Sequence, residues 1–257
     1  MKPAAFAYER PSDLAAAMAL LGQGDARLLA GGQSLGPMLN LRLVQPQLLV
    51  DLAGIAELRD CEQNADGVRL GALVTHAMIE DGRVPDPTGG ILAAVAAGIG
   101  YRAIRNRGTI GGSLAHADPA ADWLAALAAL GADAVVAGAG GERRVAVAEL
   151  AQSAFQTVLG DGEILVAVEV PAVSGAARWG WTKLCRKPGE FAQAIAAVLH
   201  DPDCGRRRAV IVATQGAPIV LDDASEAAAE AALAGFDPIE QRLYRAALRR
   251  ALAQVTR

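Results

Sequence analysis

The spacing of apolar positions alternates between the periods of helix and strand, and each change marks an element. Leu14, Met18 and Leu21 recur at helical spacing behind Pro11-Ser12-Asp13, which predicts a capped helix through about Leu21, stopped by Gly22 or Gly24. Arg27–Ala30 and Leu48–Leu52 are short apolar runs bounded by turn residues, the pattern of buried strands. Val68–Leu73, Ala134–Ala137, Arg144–Val147 and Glu163–Pro171 read the same way, and a Gly-Ala-Gly-Gly turn makes the middle two a hairpin. Helical spacing returns at Thr75–Asp81, in the alanine-rich Ile91–Arg102, and in Trp123–Leu130, where Leu124, Leu127 and Leu130 share one face. After a boundary near Ala172–Gly175 come strands at Arg178–Leu184, Arg206–Ala213 and Pro218–Leu221, and a strand or helix through Phe191–Leu199. Helices at Ala224–Leu233 and Pro238–Val255 close the chain. The pattern divides into a first lobe (1–54), a second lobe (55–172) and a C-terminal domain (173–257).

Composition narrows the classes. Hydrophobic residues make up 53% of 257 but aromatics only 4%, so the interior is built from Ala, Leu, Val and Ile. The longest uncharged run, Pro87–Tyr101, falls short of the ~18–20 residues a membrane helix needs, so no span is expected. Met1–Glu9 lacks a signal-peptide core, which makes the cytoplasm the expected location. Cys61, Cys185 and Cys204 contain no Cys-x-x-Cys, so this chain alone carries neither an iron–sulfur cluster nor a cysteine-based zinc site. His76, His116 and His200 are isolated and read as packing or surface residues, with no metal site expected. Lys and Arg number 12 against 19 Asp and Glu in residues 1–172 (−7), and 12 against 9 in 173–257 (+3). Neither half is the strongly basic surface that nucleic acid requires.

Two glycine-rich stretches carry the candidate chemistry. In Leu28-Leu-Ala-Gly-Gly-Gln-Ser-Leu-Gly-Pro37 a strand end runs into a Gly-Gly turn and a hydroxyl residue. In Arg105–Asp122, Gly108, Gly111 and Gly112 are expected to take positive φ and to leave bare N–H groups facing one point, an anion cradle. Asp118-Pro119 is expected to cap a helix that begins there. Read from the residues, the two loops hold either one ligand with more than one phosphate or two ordinary turns. Gly98-x-Gly100-x-x-Ala103 matches a dinucleotide fingerprint only formally, because it follows no strand. No Gly-Lys-Ser/Thr sequence is present, which counts against an ATPase.

Ala30-Gly-Gly-Gln-Ser-Leu35 and Ile104-Arg-Asn-Arg-Gly-Thr-Ile-Gly-Gly-Ser-Leu-Ala-His-Ala-Asp-Pro-Ala-Ala-Asp122 resemble the FAD-binding subunits of the molybdenum hydroxylases, the group of xanthine dehydrogenase and carbon monoxide dehydrogenase. The similarity runs from Phe6-x-Tyr-x-x-Pro11 to Lys183-x-x-Arg-Lys-x-Gly-Glu-Phe-Ala192. It implies an α+β fold: a two-lobed, PCMH-type FAD-binding domain followed by a small antiparallel sheet with helices. It also implies cofactor contacts at Leu29, Ala30, Gly31, Gly32, Gln33, Ser34 and Leu35, and at Thr109, Ile110, Gly111, Gly112 and Ser113. Asp122 matches a position reaching ribose or ribityl hydroxyls, and Lys183 a flavin contact. Ile99, Leu165 and Phe191 fall at apolar contact positions, where core packing is the competing role. The sequence departs from the family at Ser113, where Asn is frequent, and at Glu190, where Asp is usual.

By this resemblance the chain is one subunit of an oxidoreductase. A molybdopterin-binding large subunit hydroxylates the substrate, a [2Fe-2S] small subunit relays electrons, and FAD here passes them to an external acceptor. The implied assembly is a dimer of heterotrimers. Two rivals stay open at this level: a free-standing FAD oxidoreductase of the same superfold, and a non-enzymatic nucleotide-binding scaffold.

Overall fold

A computed structural model describes residues 2–256. The chain starts with β1 (Ala7–Glu9), α1 (Leu14–Leu21), β2 (Ala26–Leu29), α2 (Leu35–Asn40) and β3 (Leu48–Asp51). Asp13 caps α1 by accepting from the Ala16 N–H at 2.8 Å, and Gly22 ends the helix as expected. The three strands form a parallel sheet in the order β1-β3-β2. In such sheets ligands gather at the carboxyl ends of the strands, and the first glycine loop leaves β2 at that end.

After two short 3-10 turns come β4 (Cys61–Gln63), β5 (Gly67–Gly71), α3 (His76–Glu80), α4 (Ile91–Ala97), α5 (Arg102–Arg105), α6 (Ile110–His116) and α7 (Asp122–Leu130). The hairpin follows as β6 (Asp133–Gly138) and β7 (Gly141–Ala146), then α8 (Val147–Leu150), the small pair β8 (Ala151–Ser153) and β9 (Gln156–Thr157), and β10 (Ile164–Pro171). Strands β4-β5-β10-β6-β7 make an antiparallel sheet in that order. The last segment is the meander β11 (Arg178–Leu184), β12 (Ala194–Asp201), β13 (Arg206–Val212) and β14 (Ile219–Leu221), then α9 (Glu226–Ala232) and α10 (Pro238–Val255). Phe191–Leu199, open between strand and helix in sequence, is resolved as a strand from Ala194.

Helix α7 is the centre of the packing. All nine of its residues are buried, so the single apolar face expected for Leu124, Leu127 and Leu130 gives way to burial on every side. Its alanines let two sheets approach at once. From the C-terminal sheet, Ile195, Ala197, Leu199, Val210 and Val212 join the α7 core, while Ala194, Ala196, Val198, Ala209 and Ile211 pack against Tyr244, Leu248 and Ala251 of α10. Both faces of β12 are therefore covered, which explains its unbroken apolar run. At the edge strand β11, the Gln254 amide of α10 donates to the Trp181 carbonyl and accepts from the Trp181 N–H at 3.0 and 3.1 Å, as a neighbouring strand would.

Two helix boundaries differ from expectation. Ile91–Arg102 is not one helix: α4 ends at Ala97, Gly98 caps it, Gly100 takes φ +51°, and α5 restarts at Arg102. Asp118-Pro119 does not open α7. The Asp118 carboxylate accepts from the Ala120 N–H at 2.9 Å and its carbonyl from the Ala121 N–H, closing a turn that delays the helix to Asp122. No helix among the described residues is long and apolar enough to cross a membrane.

Candidate functional site

The fold brings the two glycine motifs into direct contact. Gly31 lies so close to the Arg107–Gly108 backbone that a Cβ on it would stand 2.1 Å from the Arg107 carbonyl oxygen and 2.8 Å from Gly108 Cα. A Cβ on Gly112 would meet that of Ala30 at 3.2 Å. Only glycine permits the crossing at Gly31, and this is the physical reason for Ala30-Gly-Gly at the carboxyl end of β2.

The motifs differ in what they offer a ligand. Between β2 and α2, the backbone N–H groups of Gly31, Gly32, Gln33 and Ser34 have no protein acceptor among the described residues. Gly32 sits at φ +72°, turning the chain so that successive amides form the concavity that suits an anion. The second motif does not match the expected cradle of bare amides. Gly108, Gly111 and Gly112 are absent from the positive-φ residues. The Gly111 N–H donates to the Ala72 carbonyl, the Gly112 N–H to Thr109 Oγ1 at 3.1 Å, and the Ser113 N–H to the Thr109 carbonyl. These glycines serve close packing: a Cβ on Gly111 would stand 2.5 Å from Ala72 Cβ, and one on Gly108 2.8 Å from His76 Nε2. Thr109 caps α6, and Ile110 is buried beneath it.

Asp122 and Lys183 form one unit. Lys183 Nζ lies 2.8 Å from Asp122 Oδ2, with only 11% and 7% of the two side chains exposed, and also donates to the Gly98 carbonyl at 3.2 Å. The pair joins α7 to β11 and to the loop between α4 and α5. Burial pushes the Asp122 carboxyl up, and the Lys183 ammonium opposes the shift. Asp122 Oδ1 is buried without any partner in the protein among the described residues, an acceptor left over for a ligand donor.

Arg105 completes the arrangement and was not singled out from sequence as a site residue. Its guanidinium is forked on Glu80 at 2.7 and 2.9 Å and donates to the Ile99 and Gly100 carbonyls at 3.1 and 3.0 Å. The carbonyls of Gly98, Ile99 and Gly100 are thus each held by a cation, which fixes a loop that two glycines would otherwise loosen. Nothing in local spacing announces this, because Glu80 lies 25 residues upstream. Gly189, at φ +84°, brings the β11–β12 loop against the same place: a Cβ there would stand 2.9 Å from the Gly100 carbonyl oxygen.

The apolar candidates separate. Ile99 is half-buried on the fixed loop. Leu165 is 5% exposed in the middle of β10 and belongs to the core. Phe191 is 66% exposed beyond Gly189. Two surface depressions of about 500 and 270 Å³, one beside the β6–β7 turn with Arg143 and Glu163, the other beside Glu57, Asp60 and Arg69, include no residue of either motif.

Comparison with known proteins gives a consistent result. The family model described as the FAD binding domain in molybdopterin dehydrogenase matches residues 4–173. The alpha subunit of the 6-hydroxypseudooxynicotine dehydrogenase complex of Paenarthrobacter nicotinovorans is 36% identical over 93% of this chain and 87% of its own length. The carbon monoxide dehydrogenase medium chain of Hydrogenophaga pseudoflava is 35% identical over 93% and 90%. Among solved structures, carbon monoxide dehydrogenase from that organism, lacking the Mo-pyranopterin moiety, superposes with a TM-score of 0.92 at 32% identity, covering 100% of this chain and 99% of the other.

Proposed function

The chain belongs to the FAD-binding domain family of the molybdopterin dehydrogenases, and on that footing we propose that its two glycine motifs seat the FAD pyrophosphate where Gly31 crosses Arg107–Gly108. It is the medium, FAD-binding subunit of a molybdenum hydroxylase of the carbon monoxide dehydrogenase type, an oxidoreductase whose molybdenum and iron–sulfur centres lie on other subunits. The observation that carries the site assignment is the row of unpaired amides from Gly31 to Ser34, pressed against the second motif.

Bound FAD supplies the redox chemistry that links the iron–sulfur relay to an external acceptor. The protein's residues do the rest. Amides of Gly31–Ser34 donate to phosphate oxygens without needing a lysine. Leu29, Ala30 and Leu35 set the entry and exit of that loop, and Thr109, Ile110, Gly111, Gly112 and Ser113 form the opposing wall. Asp122 uses its free Oδ1 to accept from a hydroxyl of the cofactor, while Oδ2 holds Lys183. Lys183 in turn keeps a positive charge beside the Gly98–Gly100 loop, which presents Ile99. Leu165 acts from the core behind the cleft, and Phe191 from its exposed edge.

We further propose as partners a molybdopterin-binding large subunit and a [2Fe-2S] small subunit, assembled as a dimer of heterotrimers in the cytoplasm. Affinity purification of the tagged chain from its host tests this. The expected product is a flavin-coloured complex with both partner chains, two copies of each by light scattering. A fully active single chain would contradict the subunit reading.

A further inference from the structure

One buried polar pair is not used by the reading above. His76, the first residue of α3, is 4% exposed, and Trp123, the second residue of α7, is fully buried. Trp123 Nε1–H donates to His76 Nδ1 at 3.1 Å. An acceptor at Nδ1 places the ring proton on Nε2. Burial, reinforced by the nearby charge of Arg105, pushes the His76 pKa down to about 4, so the ring is neutral at physiological pH.

The opposite edge of that imidazole lies under the second motif. Gly108 is pressed on it so closely that a Cβ would stand 2.8 Å from Nε2 and 2.9 Å from Cδ2. The His76 N–H donates to the Gly108 carbonyl at 3.0 Å, and the Ile110 N–H to the Val74 carbonyl, so Val74–His76 and Gly108–Ile110 run as a short antiparallel bridge. Above Gly108 sits Gly31. The four groups form one column: the Gly31 backbone, the Arg107–Gly108 backbone, the His76 ring and the Trp123 indole. Its base is bonded in sequence to Asp122, the carboxylate that holds Lys183.

We infer that His76, locked in the Nε2–H tautomer by Trp123, is a positioning residue that sets the height of Arg107–Gly108 against Gly31 and so the width of the FAD clasp. The inference rests on the FAD assignment. A ring that turned or withdrew would remove the surface on which Gly108 packs, and the wall facing the amides would shift. The hydrogen bond stops the ring from turning. No residue of the pair touches the cofactor in this scheme; both act through Gly108.

The test uses the full chain, freed of cofactor and titrated with FAD by fluorescence quenching, with the thermal midpoint of the apo chain measured in parallel. Trp123→Phe removes the donor and frees the ring. His76→Asn keeps an acceptor near Nδ1 but withdraws the edge beneath Gly108. Leu127→Ala, on the same helix and fully buried, is the control for general loosening of the core. Each of the first two variants is expected to raise the Kd for FAD about tenfold, the scale of one lost hydrogen bond at the clasp, while Leu127→Ala lowers the apo midpoint at least as far with Kd within about threefold. A lowered midpoint with unchanged Kd in both Trp123→Phe and His76→Asn, or an equal rise in Kd for Leu127→Ala, overturns the inference. If either variant fails to fold, the other decides. A wild-type chain that takes up no FAD overturns the assignment itself, and the inference with it.

Discussion

Replacing Gly31 with Ala separates a cofactor contact from a fold contact. The new Cβ would stand 2.1 Å from the Arg107 carbonyl oxygen and 2.8 Å from the Arg107 carbonyl carbon. Non-bonded atoms settle at about 3.5 Å, so the two motifs must part by about 1 Å or more. Overpacking of this kind costs about 1–3 kcal/mol, and the motifs can relieve it by opening the cleft they line. An amide displaced by about 1 Å from a phosphate oxygen loses its hydrogen bond, worth about 1.5–3 kcal/mol to a charged acceptor. Loss of two such bonds predicts a Kd for FAD weaker by about 10²- to 10⁴-fold. Gly36→Ala is the matched control: no atom lies within 4 Å of its Cβ position, the backbone is helical, and alanine favours the helix by about 0.5–1 kcal/mol. Equilibrium titration with FAD, alongside apo-chain unfolding, reads both effects. Gly31→Ala binding FAD as tightly as Gly36→Ala would refute the clasp.

Other perturbations address the polar framework. Lys183→Met strands Asp122 in a buried site and should destabilise the chain by up to about 3–5 kcal/mol in chemical unfolding, with Lys183→Met/Asp122→Asn recovering much of the loss. With the cation gone, the folded-state pKa of Asp122 is raised, so its protonated form favours folding at low pH. The deficit of Lys183→Met should shrink from pH 8 to pH 5, and a pH-independent deficit would exclude this cause. Asp201 is fully buried; burial raises its carboxyl, but bonds from the Ser174 hydroxyl and N–H and from Arg206 outweigh this and hold it well below the usual range. Its contribution is therefore present above the unfolded carboxylate pKa of about 3.9 and lost as the pH falls below it. Asp201→Asn should lower stability at pH 7 by about 2–4 kcal/mol, bring its urea midpoint closer to wild type below pH 4, and loosen the Ala172–Ser174 link.

Elements that announce themselves locally were legible in the sequence. The cap at Asp13, the hairpin around Gly138–Gly141 and the arginine-rich helix Pro238–Val255 are set by residues within a few positions of one another. The glycine motifs were visible too, but not their division of labour. Glycine permits positive φ and close approach alike, and sequence does not say which is used: Gly32 turns the chain, whereas Gly31, Gly108 and Gly111 make room for a neighbouring backbone or ring. Asp118-Pro119 has the composition of a helix start, yet a turn closed by the Asp118 carboxylate takes precedence. Pairing across the fold left no local trace. Asp122 and Lys183 were each singled out as cofactor contacts, but their bond spans 61 residues, and the Arg105 fork on Glu80 spans 25. The Tyr8 hydroxyl on Asp51, beside the first motif, is of the same kind.

The most direct measurement is the flavin content of the full chain. The protein is freed of cofactor, dialysed to equilibrium against FAD, and its bound flavin quantified by visible absorbance, with Gly31→Ala beside it. The clasp at Gly31–Ser34 and Arg107–Gly108 predicts one FAD per wild-type chain and little or none in the variant. A wild-type chain that stays colourless, or a variant that retains a full complement of flavin, would contradict it.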